Sequence, residues 1–200
     1  MRIAVINEVS CKDKNEKIMA ALADFGFEVF NVGMTGADGE TELTYIHTGL
    51  MAGIALNSGA ADMVIGGCGT GQGFMISAMQ YPDVYCGLVI EPLDAWLFSQ
   101  INGGNCVSLA LNKGFGWAGD INLKYIFEKL FCDPMGNGYP EHRRESQKAS
   151  RNILKQISKD THKDFQKILD DLDKSVLNHV FEHKAFKEFI DNYAEVKFVY

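Results

Sequence analysis

The sequence predicts an α/β protein: a doubly wound (Rossmann-like) five-stranded parallel sheet with a C-terminal helical extension. Two observations predict the sheet. Short runs rich in β-branched residues alternate with longer segments in which apolar residues recur every three or four positions. The short runs are apolar at successive positions, which is typical of strands buried on both faces of a sheet. Right-handed crossovers between such strands place helices on both sides.

Five strand candidates occur within the first 112 residues. They are RIAVIN (2–7), EVFNVG (28–33), DMVIGGC (62–68), YCGLVIE (85–91) and CVSLALN (106–112). Five segments with helical periodicity accompany them, namely KNEKIMAALADFG (14–26), LTYIHTGLMAGIALNSG (43–59), GFMISAMQ (73–80), PLDAWLFSQING (92–103) and GDINLKYIFEKLF (119–131). Each pair of successive strands is therefore joined by a helix, as parallel pairing requires.

The composition changes near residue 140. Residues 1–140 hold 7 Lys and Arg against 15 Asp and Glu, whereas residues 141–200 hold 12 against 11. The turn-rich segment DPMGNGYPEH (133–142) precedes this change, so we predict an α/β domain at 1–140 and a charged extension at 141–200. In the extension, RNILKQI, FQKILDDL and FKEFIDNY predict two or three amphipathic helices that pack on the domain or on a second subunit. The only strand signal there is the terminal VKFVY.

Composition also argues against several classes of protein. With 200 residues and 46% hydrophobic content, the chain can bury one full core. No apolar run approaches the roughly 20 residues that cross a membrane, and MRIAVINE is too short an apolar start for a signal peptide. Five widely spaced cysteines without a CxxC pair predict reduced thiols in the cytoplasm. A net charge of −7 argues against nucleic-acid binding.

The stretch GGCGTGQG (66–73) is the strongest candidate for chemistry. Cys68 ends the third predicted strand, and its glycine spacing fits neither the dinucleotide fingerprint, the P-loop nor the nucleophile elbow. Alternating glycines let backbone N–H groups converge at the start of a helix, which favours a bound anion and a thiolate at Cys68. A base beside such amides suits proton abstraction next to a carbonyl. The alternative is a small buried cysteine whose glycine neighbours only allow close helix–strand packing.

The run GGCGTGQGFMISA resembles the signature of the ribose-5-phosphate isomerase B and galactose-6-phosphate isomerase family, and VIEPLDAWLFSQINGGNCVSLAL resembles its later part. The resemblance covers residues 1–150. It implies an aldose–ketose isomerase without metal or organic cofactor, in which Cys68 moves a proton through an enediolate and Thr70 assists ring opening. It also implies a homodimer or homotetramer whose sites are shared between subunits. The substrate-binding residues it implies are Asn102 and, through their amides, Gly69, Gly71 and Gly73.

Three departures from the family pattern bear on the substrate. Where the family has Asp-His after the first strand, this chain has Glu8 and Val9, so Glu8, with Asn7 before it, is expected to bind substrate. Ile101 stands where the family has a ring-opening His, so either Thr70 acts differently or the substrate arrives already open. Of the two positions that hold phosphate-binding arginines in the family, one is Tyr139 and the other is Arg143.

A few further residues are weighed by their surroundings. Arg143 and Arg144 are two of only four arginines, and at least one of them is expected to contact a phosphate. Tyr45 is a candidate substrate contact, because its helix follows the second strand on the ligand side of the sheet. His179 and His183 have the spacing of a metal pair, but without a third ligand we predict a solvated helix face and no metal site.

The leading functional hypothesis is an isomerase of a sugar phosphate, either ribose 5-phosphate or a related pentose or hexose phosphate. One alternative is an isomerase of a related or unphosphorylated sugar. Another is a sugar-binding homologue that kept the fold and lost the chemistry, which would not need a reactive thiol.

Overall fold

The computed structural model describes residues Met1–Tyr200 and confirms the five-stranded parallel sheet. The strands are β1 (Arg2–Asn7), β2 (Glu28–Asn31), β3 (Met63–Cys68), β4 (Cys86–Val89) and β5 (Cys106–Ala110). Their order in the sheet is β2-β1-β3-β5-β4, and every neighbouring pair is parallel. β2 ends earlier than predicted because the amides of Val32 and Gly33 both donate to the Val5 carbonyl, each at 3.0 Å, which stops the ladder.

Nine α-helices accompany the sheet. They are α1 (Asn15–Leu22), α2 (Tyr45–Asn57), α3 (Gln72–Ala78), α4 (Pro92–Leu97), α5 (Gly119–Phe131), α6 (Arg144–Thr161), α7 (Phe165–Asp171), α8 (Lys174–Glu182) and α9 (Lys184–Tyr193). The extension holds four of them rather than two or three. The side chains of Asp164 and Asp173 cap α7 and α8 and so divide the charged sequence into separate helices. The VKFVY segment forms no strand.

The two faces of the sheet carry separate cores, because successive strand residues point to opposite sides. Ile3 and Val5 of β1 belong to a cluster of 16 buried residues beneath α1, α4 and α5. Ala4 and Ile6 belong to a second cluster of 26 buried residues, on the side of α2 and α3. This two-sided coverage is the doubly wound arrangement that the sequence predicts.

Helices α7–α9 of the extension join the larger core. Their buried apolar residues in it are Phe165, Leu169, Leu177, Val180, Phe186, Phe189 and Ile190. Helix α2 therefore lies between the sheet and the extension, which explains why every residue from Thr48 to Ala55 is buried. The extension and the α/β domain thus share one core.

His183, just after α8, is buried, so the expectation of a solvated face is wrong for this residue, whereas 33% of the His179 side chain is exposed. The ring of His179 packs on that of His47 in α2, with centroids 4.3 Å apart. His183 follows the last residue of α8 and is 6% exposed. Burial, and secondarily the neighbouring His179, lower the pKa of His47. The pair is part of the contact between the extension and α2.

Helix α6 differs from the rest of the extension. Only Ser158 of its 18 residues is buried, and the exposed fractions of Ile153, Leu154 and Ile157 are 61%, 49% and 48%. Three apolar side chains on one exposed helix form a surface that packing within this chain does not cover. None of the helices is both long and apolar enough to cross a membrane.

The shared core predicts that Phe186→Ala destabilises the whole protein. Phe186 is fully buried in α9, so its truncation should lower the free energy of unfolding by about 3–5 kcal/mol. Urea denaturation followed by circular dichroism measures this loss. The control is Trp117→Ala, whose 94% exposed side chain should matter by less than about 0.5 kcal/mol. Equal small effects of both changes would show that the extension is not part of the core.

Candidate active site

The carboxyl ends of β1, β3 and β5 lie side by side at one end of the sheet. We call this end the ligand-binding edge, because parallel α/β proteins bind ligands there. Eight residues expected at the site lie in or beside the loops at this edge: Asn7, Glu8, Tyr45, Cys68, Gly69, Thr70, Gly71 and Gly73. The sequence pattern places them there because each follows, or ends, a strand of the same direction.

Cys68 is the last residue of β3, and only 6% of the residue is exposed to solvent. Its Sγ lies 3.9 Å from Thr70 Oγ1. The chain can fold back so tightly because Gly71 adopts φ of 75°, a left-handed conformation that suits glycine. The Cys68 thiol and the Thr70 hydroxyl thus lie side by side at the carboxyl end of β3.

The amides of Gly69, Gly71 and Gly73 are not all free to bind one oxyanion. Gly69 N–H donates to Ser10 Oγ at 3.1 Å, and Gly71 N–H donates to the Cys68 carbonyl at 3.2 Å. The Gly73 amide has no acceptor within the protein, and neither have those of Thr70 and Phe74. Of the three amides expected to hold an oxyanion, only that of Gly73 is therefore free to do so in this conformation.

Tyr45, at the start of α2, borders the loop of residues 68–73, which we call the cysteine loop. Its ring lies over Gly73, where an added Cβ would come within 3.1 Å of Tyr45 Cγ, and 45% of the residue is exposed. Tyr45 is thereby positioned to contact a ligand held at Cys68. His47, two residues later, contacts the extension instead.

Glu8 and Asn7 have different surroundings. Glu8 is 5% exposed and accepts a hydrogen bond from Ser10 Oγ, which places its carboxylate next to the cysteine loop. Asn7 is fully buried, and neither polar atom of its side chain has a partner. Alternation along β1 directs Asn7 to the face of Val5, opposite to that of Cys68. Asn7 is therefore directed away from Cys68, and its role in substrate binding stays a prediction.

The remaining predicted residues lie beyond the amino ends of the strands, opposite to Cys68. Asn102 ends a π-helical turn, Phe98–Asn102, that leads into the first residue of β5. A cavity of about 570 Å³ lies here, bordered by Ile101, Asn102 and Arg143. Arg144 and Tyr139 do not line it. Tyr139 instead packs edge-on against Trp96, with ring centroids 4.8 Å apart.

Arg151 is a cavity residue that the sequence analysis missed. Its guanidinium donates to the Ile101 carbonyl at 2.9 Å and to the Gly136 carbonyl at 2.7 Å, and it lines the cavity beside Arg143. These bonds hold the 133–138 turn against the segment that ends at Asn102. The scarcity of arginine, four in the chain, is the signal that could have pointed to it.

The predicted site residues therefore form two separate groups within one chain. The cysteine loop and the Asn102–Arg143 cavity lie at opposite ends of the strands, and six-residue β3 alone separates its ends by roughly 20 Å, at about 3.3 Å per residue. A small sugar cannot reach both groups within one chain.

The other cysteines have surroundings unlike that of Cys68. Burial raises the pKa of the Cys11 thiol to about 12, and burial also raises the pKa of Cys106 well above its usual value. Cys132 is exposed on the far side of α5, where partial burial and then Asp133 raise its pKa. Cys68 differs from them in ending a strand at the ligand-binding edge with a side-chain hydroxyl, that of Thr70, 3.9 Å from its sulfur.

The chain is similar in sequence and in fold to known sugar isomerases. The Ribose/Galactose Isomerase family model matches residues 3–130. A solved 4-deoxy-L-threo-5-hexosulose-uronate ketol-isomerase with a bound tartrate is 44% identical, with a TM-score of 0.95 over 98% of this chain and 94% of that one. A ribose-5-phosphate isomerase from Vibrio parahaemolyticus is also 44% identical, with a TM-score of 0.94 over the same shares.

More distant structures match mainly the α/β domain. A ribose 5-phosphate isomerase from Thermotoga maritima is 25% identical, with a TM-score of 0.58 over 73% of this chain and 96% of that one. No curated protein matches the chain. The family match over most of the α/β domain, with the two full-length structural matches, shows that the chain belongs to the Ribose/Galactose Isomerase family and is an aldose–ketose isomerase of sugars.

Proposed function

We propose that this isomerase moves its proton with Cys68. The observation that carries the proposal is the position of Cys68 at the ligand-binding end of β3, with Thr70 Oγ1 3.9 Å from its sulfur. The Cys68 thiolate takes a proton from the carbon next to the substrate carbonyl, and the electron pair moves to the carbonyl oxygen to give an enediolate. The Cys68 thiol then gives this proton to the former carbonyl carbon, while the hydroxyl proton of the adjacent carbon passes to the enediolate oxyanion, so that the new carbonyl lies one carbon along. The Thr70 hydroxyl and the Gly73 amide are the donors available to the negative oxygen.

The substrate is proposed to carry an anionic end that Arg143 binds. Arg143 borders the cavity, whereas the guanidinium of Arg151 is already bonded to two carbonyls. A guanidinium can bind a carboxylate or a phosphate through two parallel hydrogen bonds. Because Tyr139 stands where the family has a second arginine, a sugar acid with a singly charged carboxylate is favoured, a class supported by the uronate named for one of the two 44%-identical structures.

A sugar phosphate, ribose 5-phosphate or a related one, is the second candidate. It is supported by the ribose-5-phosphate isomerase at the same 44% identity. Ile101, which lines the cavity where the family has its ring-opening His, favours a substrate that reacts in its open-chain form in either case.

We propose that two copies of the chain assemble each site. The cavity that includes Arg143 is also bordered by Met79 and Leu154, which are 48% and 49% exposed. A second copy that covers these apolar side chains would bring its cysteine loop to the cavity. A homodimer, or a homotetramer built from it, then has two such sites per pair, related by a two-fold axis. Five free cysteines support a cytoplasmic location.

The cysteine mechanism predicts that Cys68→Ala lowers kcat by about 10²–10⁴-fold while the fold is kept, since a positioned general base contributes this much. Cys68→Ser should be nearly as inactive, because a hydroxyl is a far weaker base near neutral pH. Turnover of ribose 5-phosphate and of the hexosulose uronate measures both. Cys132→Ser, at an exposed cysteine, is the matched control and should keep wild-type turnover. A Cys68→Ser enzyme with wild-type turnover would exclude the thiolate mechanism.

If two chains form each site, two variants with low activity should complement each other in a mixed dimer. Arg143→Ala should raise KM strongly with a smaller fall in kcat, as loss of mainly uniform binding does. Co-expressed Cys68→Ala and Arg143→Ala chains, carrying different tags, should form mixed dimers with one intact site and about half of the wild-type activity at low substrate concentration. Mixed dimers no more active than the mean of the two parent variants would show that each site belongs to one chain.

A further inference from the structure

The peptide bond that follows Cys68 is held mainly from the β5 side. The Cys68 carbonyl accepts hydrogen bonds from Gly71 N–H at 3.2 Å and Leu111 N–H at 3.1 Å. The next carbonyl, that of Gly69, accepts from the amides of Asn112 at 3.0 Å and Lys113 at 2.8 Å. Four bonds therefore fix the two carbonyls, whereas the Gly69 amide has a single acceptor, Ser10 Oγ at 3.1 Å.

Ser10 is itself fixed from two directions. Its carbonyl accepts from the Asn112 side chain at 2.7 Å, which ties the turn after β1 to the end of β5. Its hydroxyl bonds to the carboxylate of Glu8, a residue only 5% exposed. A backbone N–H can only donate, so the Ser10 oxygen accepts from Gly69 and its single proton goes to Glu8. A hydrogen bond to an ionised carboxylate is among the stronger ones in proteins.

We propose that Ser10 is a positioning residue for Cys68. It connects the Glu8 carboxylate to the only amide of the Cys68–Gly69 segment that β5 does not hold, and so sets the direction in which the Cys68 side chain leaves β3. The inference rests on the proposed function, since it takes Cys68 as the base. Proton abstraction is sensitive to such placement, because a displacement of about 1 Å can cost about a hundredfold in rate.

The close fit around Gly69 supports this role. A Cβ built on Gly69 would lie 3.3 Å from Ser10 Oγ and 3.2 Å from Asn112 Nδ2, so the ends of β1, β3 and β5 pack around this one residue. The Gly69 N–H shares one rigid peptide plane with the Cys68 carbonyl, so without the Ser10 hydroxyl this plane is held on its carbonyl side only.

The test compares three serine variants. Ser10→Ala should lower kcat roughly tenfold with KM changed by less than about twofold, because positioning acts on the transition state more than on binding. Ser10→Thr keeps the hydroxyl and should recover most of the rate. The matched control is Ser175→Ala in α8, where the hydroxyl likewise bonds to a carboxylate two residues earlier, that of Asp173, but far from the cysteine loop. It should leave kcat unchanged.

A second readout does not depend on the substrate. Alkylation with iodoacetamide, followed for each cysteine by peptide mass spectrometry, should become several-fold faster at Cys68 in Ser10→Ala, while buried Cys11 and Cys106 stay protected. Faster reaction together with slower turnover distinguishes lost positioning from general unfolding, which would expose all three thiols.

Three outcomes would overturn the proposal for Ser10: an unchanged kcat in Ser10→Ala, a loss that Ser10→Thr does not recover, or unchanged alkylation at Cys68. These outcomes are separable from a failure of the proposed function. An active Cys68→Ser enzyme refutes Cys68 as the base, whereas an inactive Cys68→Ser beside a fully active Ser10→Ala refutes only the role of Ser10.

Discussion

The parallel direction of all five strands is the constraint on which the rest of the molecule depends. It brings the ends of β1, β3 and β5 to one edge, and it requires that both faces of the sheet be covered. Helix α2 meets the second requirement only together with α7–α9, because its own surface is apolar on every side. The extension thus completes the core that holds the cysteine loop in place.

The same geometry divides the predicted site residues between the two ends of the strands. Cys68 and Thr70 lie where β3 ends, whereas Asn102 and Arg143 lie where β5 begins. Apolar side chains left exposed beside the cavity, Met79 and Leu154, are those that a second copy would cover. In the proposed assembly of two copies, the contact that covers these side chains would also complete the site.

Apolar runs predicted the fold, and a glycine-rich motif at a strand end predicted the position of Cys68. Hydrogen bonds that join distant segments were not predictable: Ser10 meets Gly69, and Arg151 meets Ile101, only once the strands are paired. The order of the elements along the chain does predict where Asn102 lies. Asn102 precedes β5, so it had to lie at the edge opposite to Cys68, which ends β3.

Isomerisation in deuterated water tests the cysteine mechanism most directly. The product is examined by proton magnetic resonance for deuterium at the carbon next to the carbonyl. Because the proton held on the Cys68 sulfur can exchange with solvent before it reaches the neighbouring carbon, the account predicts that the wild-type enzyme incorporates some solvent deuterium there and that Cys68→Ala, still folded, does not. Incorporation by Cys68→Ala at the wild-type rate would contradict proton transfer through Cys68.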